Sequence, residues 1–241
     1  TNQEVTSAFV KGLAHEIKNP LSGIRGAAQL LSQKLPQEHL NEYTDIIINQ
    51  TDRLTSLVNN ILGPNKKPSF ELQNIHAPLE NVLDLLQQDL SESGIDLIKD
   101  YDPSIPEISI DIYLLEQSVL NLVKNAKESL EEGEVFSPEI RIVTRVLRQE
   151  FLGQTQHKTV CSISVRDNGP GIPKDLKDSI FFPMISSKAT GSGLGLSITQ
   201  GIISQHNGII KCESEPGKTE FSILIPIKHQ VHDQELRRAN A

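Results

Sequence analysis

The sequence holds no tryptophan, one methionine and two cysteines, and aromatic residues make up 4% of its 241 positions. The cysteines, Cys161 and Cys212, stand alone in separate strand-like runs. They offer neither a disulfide framework nor a metal-ligand spacing, which fits a reducing compartment. No apolar run approaches the ~18–20 residues of a membrane span, and the first residues carry no signal-peptide pattern. A cytoplasmic protein with no membrane partner is therefore expected. Positive charge is in deficit too: the net charge is −8, and the basic patch of a nucleic-acid binder is missing. The chain opens on Thr1 rather than methionine. Its helical pattern begins within a few residues, so it reads as a fragment whose upstream region is missing.

What is present falls into two textures. Residues 1–63 carry two helical patterns broken at Leu35-Pro36-Gln37. In the first, Phe9, Leu13, Ile17, Leu21, Ile24, Ala28 and Leu31 repeat at the spacing of one helix face. His15 lies roughly 180° from the centre of that stripe, and Asn19, one turn on, shares its outward face. The second pattern, Leu40, Tyr43, Ile47, Gln50, Leu54, Leu57 and Ile61, has the alternating three-four spacing of a coiled-coil seam. Two such helices form an antiparallel hairpin that cannot cover its own stripes. Pairing with a second copy into a four-helix bundle is expected. Gly63-Pro64-Asn65-Lys66-Lys67-Pro68 then breaks the pattern, marking residues 64–69 as a linker.

Beyond the linker the texture is mixed. Strands are expected at residues 69–74, 95–100, 140–150, 159–167, 209–214 and 219–227, and helices at 78–90, 111–131 and 198–206. A polar loop is expected to join the two middle strands. The order suggests an α/β sandwich over residues 70–228 with helices on one face, and a polar tail over 229–241.

Three segments of this second region carry chemistry. Asn121 and Asn125 sit one turn apart on the long helix, and an amide oxygen is a neutral hard ligand suited to Mg²⁺. Asp167-Asn168-Gly169-Pro170-Gly171 ends a strand. A carboxylate there can accept a hydrogen bond from an exocyclic amine while glycines let backbone approach a ligand. Gly191-Ser192-Gly193-Leu194-Gly195-Leu196 precedes a helix, where glycine amides form an anion site for phosphates. About twenty residues between the last two segments, with Phe181-Phe182-Pro183 and Lys188, read as a lid. Each segment alone is weak; the three in this order indicate a nucleotide site. Rival motifs fail on single positions. The P-loop glycine ahead of Gly217-Lys218-Thr219 is Cys212, the last glycine of a dinucleotide fingerprint is Leu196, and the second histidine of a zinc-protease motif is Asn19.

Taken together, these stretches resemble the two-component sensor histidine kinases over about residues 5–227. His15-Glu16-Ile17-Lys18-Asn19-Pro20-Leu21 resembles that family's H box, and residues 121–126 its N box. Residues 167–171 resemble the G1 box, Phe181-Phe182-Pro183-Met184 the F box and residues 191–196 the G2 box. Within the family, Gly12-Leu13-Ala14 with the H box, Arg25-Gly26-Ala27-Ala28-Gln29-Leu30-Leu31 and Thr219-Glu220-Phe221 resemble the nitrogen-regulation branch. Members of that branch carry an N-terminal PAS sensor domain, which this chain lacks.

The resemblance implies a dimerisation and histidine-phosphotransfer hairpin followed by a Bergerat-type (GHKL) ATP-binding domain. It implies that His15 receives the γ-phosphoryl of Mg·ATP and passes it to an aspartate of an NtrC-like response regulator. Glu16 would hold the Nδ1 proton of His15. Asn19 would position water for dephosphorylating the regulator. Asn121, Lys124, Asn125, Asp167, Gly169, Gly171, Lys188, Gly191, Gly193, Leu194 and Gly195 would bind the nucleotide, with Asn125 on the metal. A homodimer and a PII-type signalling protein as controller are implied as well. Many members place a lysine three residues after the N-box asparagine; here that position is Glu128, with Lys124 and Lys127 nearby. The gyrase, Hsp90 and MutL ATPases resemble one another in a glutamate one turn before the metal-binding asparagine. Here that position is Asn121, an amide that cannot act as a base, which favours phosphotransfer over hydrolysis. Intact glycines argue against a non-catalytic dimeriser.

Overall fold

The computed structural model describes residues 21–26, 28, 29, 31, 44, 45, 47, 48, 51, 68–183, 185 and 193–227. The chain divides into two compact units, Thr1–Lys67 with Pro183–Leu194, and Pro68–Phe182 with Gly195–Ala241. In the first unit the described residues up to 51 are all helical. Leu21 and Ala28 of the first apolar stripe are buried, and Ile24 and Leu31 stay half exposed. In the second seam Ile47 is 40% exposed while Thr44 and Thr51 are buried. Thr51 Oγ1 donates to the carbonyl of Ile47 at 2.7 Å, the back-bonding that lets a short hydroxyl sit inside a helix.

The second unit runs β1 (Glu71–Gln73), α1 (His76–Glu92), β2 (Asp96–Asp100), β3 (Ile108–Ile110), α2 (Ile112–Glu132), β4 (Glu139–Leu152), β5 (Thr155–Asp167), α3 (Gly195–Gln205), β6 (Ile209–Glu215) and β7 (Lys218–Pro226). Five strands form one sheet in the order β2-β4-β5-β7-β6, while β1 and β3 pair apart from it. β2 runs parallel to β4, and the remaining pairs are antiparallel.

Period-two alternation decides which sheet face is covered. Cys161, Ile163 and Val165 of β5, with Phe221, Ile223 and Ile225 of β7, join a core closed by Leu79, Leu83, Leu115, Leu122, Val123, Ile202 and Ile203 from the three helices. The alternate residues face away. Val160 and Leu224 form a small separate cluster with Leu152, and the charges of that face pair among themselves. Arg166 meets Glu220 at 2.8 Å and Lys211 meets Glu150 at 3.0 Å. The expected α/β sandwich with helices on one face is therefore the observed one.

Two expectations are corrected. The polar loop between the middle strands does not exist. β4 and β5 run on in register until Leu152 faces Thr155, leaving only Gly153 and Gln154 as the turn. Ladder hydrogen bonds hold polar residues there that no apolar alternation announces. The three-residue β3 was not anticipated. Ile108 and Ile110 are buried, flanking exposed Ser109, a pattern too short to separate from a loop.

α2 starts where a cap allows it. Asp111 has extended backbone and its Oδ1 accepts from the Leu114 amide at 3.1 Å, satisfying one orphan donor of the first turn.

Candidate functional site

α2 positions the site. Its buried face holds Leu115, Val119, Leu122, Val123, Ala126 and Leu130. Asn121, Asn125 and Ser129 follow one another at four-residue spacing, so they share a different face of the helix. The two ends of that row meet the two glycine segments. A Cβ on Gly169 would lie 3.1 Å from Ser129 Oγ, and a Cβ on Gly195 would lie 3.8 Å from the Asn121 side chain. Asn121 and Ser129 are separated by about 12 Å along the axis, at 1.5 Å per residue. A row of amide and hydroxyl groups thus runs between a carboxylate turn and a glycine-opened helix.

At the first end, Asp167 terminates β5 with 6% exposure. Its Oδ1 accepts from the Gly169 amide at 2.9 Å. Neither glycine of the turn has room for a side chain. A Cβ on Gly169 would fall 2.7 Å from Asp167 Oδ1, and Gly171 adopts φ +85° with the Glu215 backbone 2.9 Å from where its Cβ would be. Thr219 faces Asp167 across the β5–β7 ladder and is 4% exposed. Its hydroxyl lies 3.0 Å from Ser214 Oγ, which accepts from the Ile172 amide at 2.8 Å. The Ser214 carbonyl accepts from Lys177 Nζ. Asn168 fastens the turn from outside, accepting from the Glu139 amide at 2.8 Å and donating to the Ser137 carbonyl at 2.9 Å. Thr219, Ser214 and Asn168 were not assigned roles from sequence. Their contacts span 5 to 42 positions. A strand threonine opposite the strand-ending aspartate was the one available signal.

At the second end, Gly193 has φ +65°, Leu194 is 1% exposed and Gly195 opens α3. Asn121 Nδ2 donates to the Gly195 carbonyl at 3.3 Å and lies 3.4 Å from Thr199 Oγ1. Its amide N–H groups therefore tie α2 to α3. Asn125 is partly exposed between the two ends.

The lysines separate. Lys127 pairs with Asp89 and with Glu131, each at 3.1 Å, and Asp89 followed by Glu131 holds its pKa above the ordinary lysine value. Lys124 is exposed. His15, Glu16, Asn19, Lys188 and Gly191 lie outside the described residues. The two thiols are inert: burial pushes Cys161 up to about 12 and Cys212 up to about 11, so neither forms a thiolate near neutrality. Among the described residues no group of three or more His, Cys, Asp and Glu side chains could hold a metal. No described helix is long and apolar enough to cross a membrane.

Two family models match. "Histidine kinase-, DNA gyrase B-, and HSP90-like ATPase" covers residues 110–229, and "His Kinase A (phospho-acceptor) domain" covers residues 6–68. The chain belongs to the histidine kinase family. Among curated proteins, this kinase chain is 48% identical over 225 residues to the sensory histidine kinase/phosphatase NtrB of Vibrio alginolyticus, covering 93% of this chain and 63% of that protein. It is 40% identical over 229 residues to the NtrB of Rhodobacter capsulatus, covering 89% and 60%. It thus spans about three fifths of the length of these relatives. Among solved structures, full-length ShkA in complex with AMPPNP is similar at TM-score 0.70 and 26% identity, over 91% of this chain and 46% of that one. Histidine kinase ThkA in complex with the response regulator TrrA is similar at TM-score 0.60 and 27% identity, over 94% of this chain and 63% of that one.

Proposed function

We propose that the chain is the core of a nitrogen-regulation sensor kinase and phosphatase that uses ATP to phosphorylate His15. The observation that carries this reading is the row of Asn121, Asn125 and Ser129, which has the buried Asp167 turn at one end and Gly195 at the other. A buried carboxylate that accepts from its own turn selects an amino-bearing base. Backbone amides at the start of α3 favour phosphate oxygens. Asp167, Gly169 and Gly171 hold adenine, and Asn125, Gly191, Gly193, Leu194 and Gly195 hold the phosphates, with Lys124 and Lys188 as the cationic partners. The Asn125 side-chain oxygen would hold Mg²⁺, which would supply charge neutralisation at the phosphates.

His15 Nε2 attacks the γ-phosphorus. A nitrogen–phosphorus bond forms while the bond to the bridging oxygen breaks, and ADP leaves with the electron pair. Glu16 accepts the Nδ1 proton in a hydrogen bond, which fixes the tautomer that leaves Nε2 free. The phosphoryl group then moves from nitrogen to a carboxylate oxygen of an NtrC-like response regulator. Asn19 orients the water that later cleaves the aspartyl phosphate to inorganic phosphate. A base for hydrolysing ATP directly is not available from Asn121, whose N–H groups already face Gly195 and Thr199.

The half-exposed Ile24, Leu31 and Ile47 support a homodimer, in which a second copy covers them. A PII-type protein as controller and a cytoplasmic site of action belong to the same reading.

The test is label transfer from γ-phosphate-labelled ATP. Acid-labile label appears on the wild-type chain and is absent from His15→Gln, which still binds ADP. Label persisting in His15→Gln, or no label on the wild type, overturns the proposal.

A further inference from the structure

His206 is 3% exposed and Asp111 is 8% exposed, and they meet 95 positions apart in sequence. The Asp111 amide donates to His206 Nε2 at 3.1 Å. His206 Nδ1 lies 2.9 Å from the Ile202 carbonyl, one turn back in α3. A backbone amide is always a donor and a carbonyl always an acceptor. These two partners together require the neutral tautomer with its proton on Nδ1. The Asp111 carboxylate is equally committed. Oδ1 caps α2 at Leu114, and Oδ2 accepts from the Ser69 amide at 2.8 Å. Phe70 sets its ring edge-on against His206, with centroids 5.0 Å apart and planes at 78°. The first residues of the ATP-binding unit, the start of α2 and the end of α3 thus converge on one buried pair.

The position of this cluster relative to the nucleotide-facing row matters. α3 runs antiparallel to the first half of α2. The end of α3 is tied at Asp111 and its start at Asn121, two points about 15 Å apart along α2. Between them the helices meet through apolar residues such as Val119, Leu122, Ile202 and Ile203. Apolar burial is non-directional, so it resists separation better than rotation or sliding. The register of Gly195 against Asn121 then depends on both polar ties.

We propose that Asp111 and His206 are positioning residues: with Ser69 and Phe70 they form a clamp that fixes α3, and through it Gly195, relative to the asparagines of α2. The clamp lies at the far end of α3 from Gly195 and touches no nucleotide-facing group. The proposal rests on the nucleotide reading above for its consequence in catalysis, though not for the clamp itself.

Amide hydrogen exchange on the full 241-residue chain without nucleotide tests the clamp. His206→Gln places an amide oxygen near the Nε2 position, whereas His206→Asn does not reach it. Loss of an ordinary hydrogen bond is worth about fivefold. In His206→Asn, exchange over residues 194–199 should quicken about fivefold, and in His206→Gln it should stay within about twofold of wild type. Asp111→Asn keeps an oxygen for the Leu114 cap but turns an amide toward the Ser69 N–H. It should quicken residues 194–199 about threefold with the Leu114 amide unchanged. If His206→Asn does not fold, Phe70→Ala removes only the ring contact, and the same segment should respond about threefold. Autophosphorylation kcat should fall with the exchange change and recover in His206→Gln. Acceleration confined to residues 202–208, or equal in the Gln and Asn variants, overturns the clamp. Failure of the wild type to slow residues 193–198 on adding ADP counts against the nucleotide reading alone.

Discussion

The two ends of the α2 row are built differently. At the Asp167 end, backbone holds the geometry. β5 and β7 are locked in register, Gly169 and Gly171 permit an approach no side chain could make, and Asn168, Ser214 and Thr219 brace the turn from three directions. At the Gly195 end, side chains hold it. Asn121 reaches across to Gly195 and Thr199, and the far end of α3 hangs on His206. Under the proposed function, a base that is always the same shape would suit the rigid recess, and phosphates that must be delivered and released would suit a helix whose position can be shifted by small polar rearrangements.

The contrast predicts that the base end breaks through stability and the phosphate end through turnover. Gly171→Ala should have the largest effect. A left-handed φ and a backbone contact inside van der Waals distance together cost about 2–4 kcal/mol. Thermal unfolding should show this with or without nucleotide. An unchanged melting temperature would mean that the turn is softer than described.

Asp167→Asn comes next. It keeps the shape and the bond from Gly169, but exchanges a charged acceptor for an amide that also donates. ADP affinity should fall about 10–100-fold with little change in melting temperature. Calorimetry with ADP and with GDP measures it, and selectivity for adenine should narrow. An affinity within twofold of wild type would remove Asp167 from base recognition.

Asn121→Ala should act more gently on binding and more strongly on rate. Losing the tie to Gly195 and Thr199 frees one end of α3 at a cost of about 1 kcal/mol. Autophosphorylation kcat should fall several-fold while ADP binds nearly as before. Equal losses in both would erase the distinction between the two ends.

The smallest effect serves as a control away from both. Burial lowers the pKa of His76 below its usual 6.5, against the raising influence of Asp102 and Glu80. The folded state therefore binds that proton less readily than the unfolded chain. His76 contributes its full share of stability above pH 6.5 and loses it as the pH falls below that value and through the lower folded pKa. A shallow acid-side decline in melting temperature should flatten in His76→Gln, with the difference between the two ends of the site untouched.

Local patterns carried much of this molecule into view. The strand ending at Asp167, the amides at Asn121 and Asn125 and the glycines before α3 were legible because each depends on neighbours within one turn of helix or one tight turn. The Asp111 cap is equally local, needing only Leu114. The extension of β4 and β5 was not legible, since their distal residues are strand by virtue of each other. Nor was the tie from Asn121 to Gly195 and Thr199, which lie more than seventy positions away in the chain.

The sequence by itself determined the order of the longer elements, a sheet covered by helices on one face and the residue types that a nucleotide site needs. Hydrophobic period and turn chemistry act over a few residues and need no partner. Only the tertiary structure decided which polar atoms complete one another. His206 is an ordinary helix-end histidine in the sequence and becomes the partner of Asp111 only because β3, α2 and α3 meet there. A buried hydrogen bond needs both donor and acceptor in place, and the chain brings this pair together from 95 positions apart.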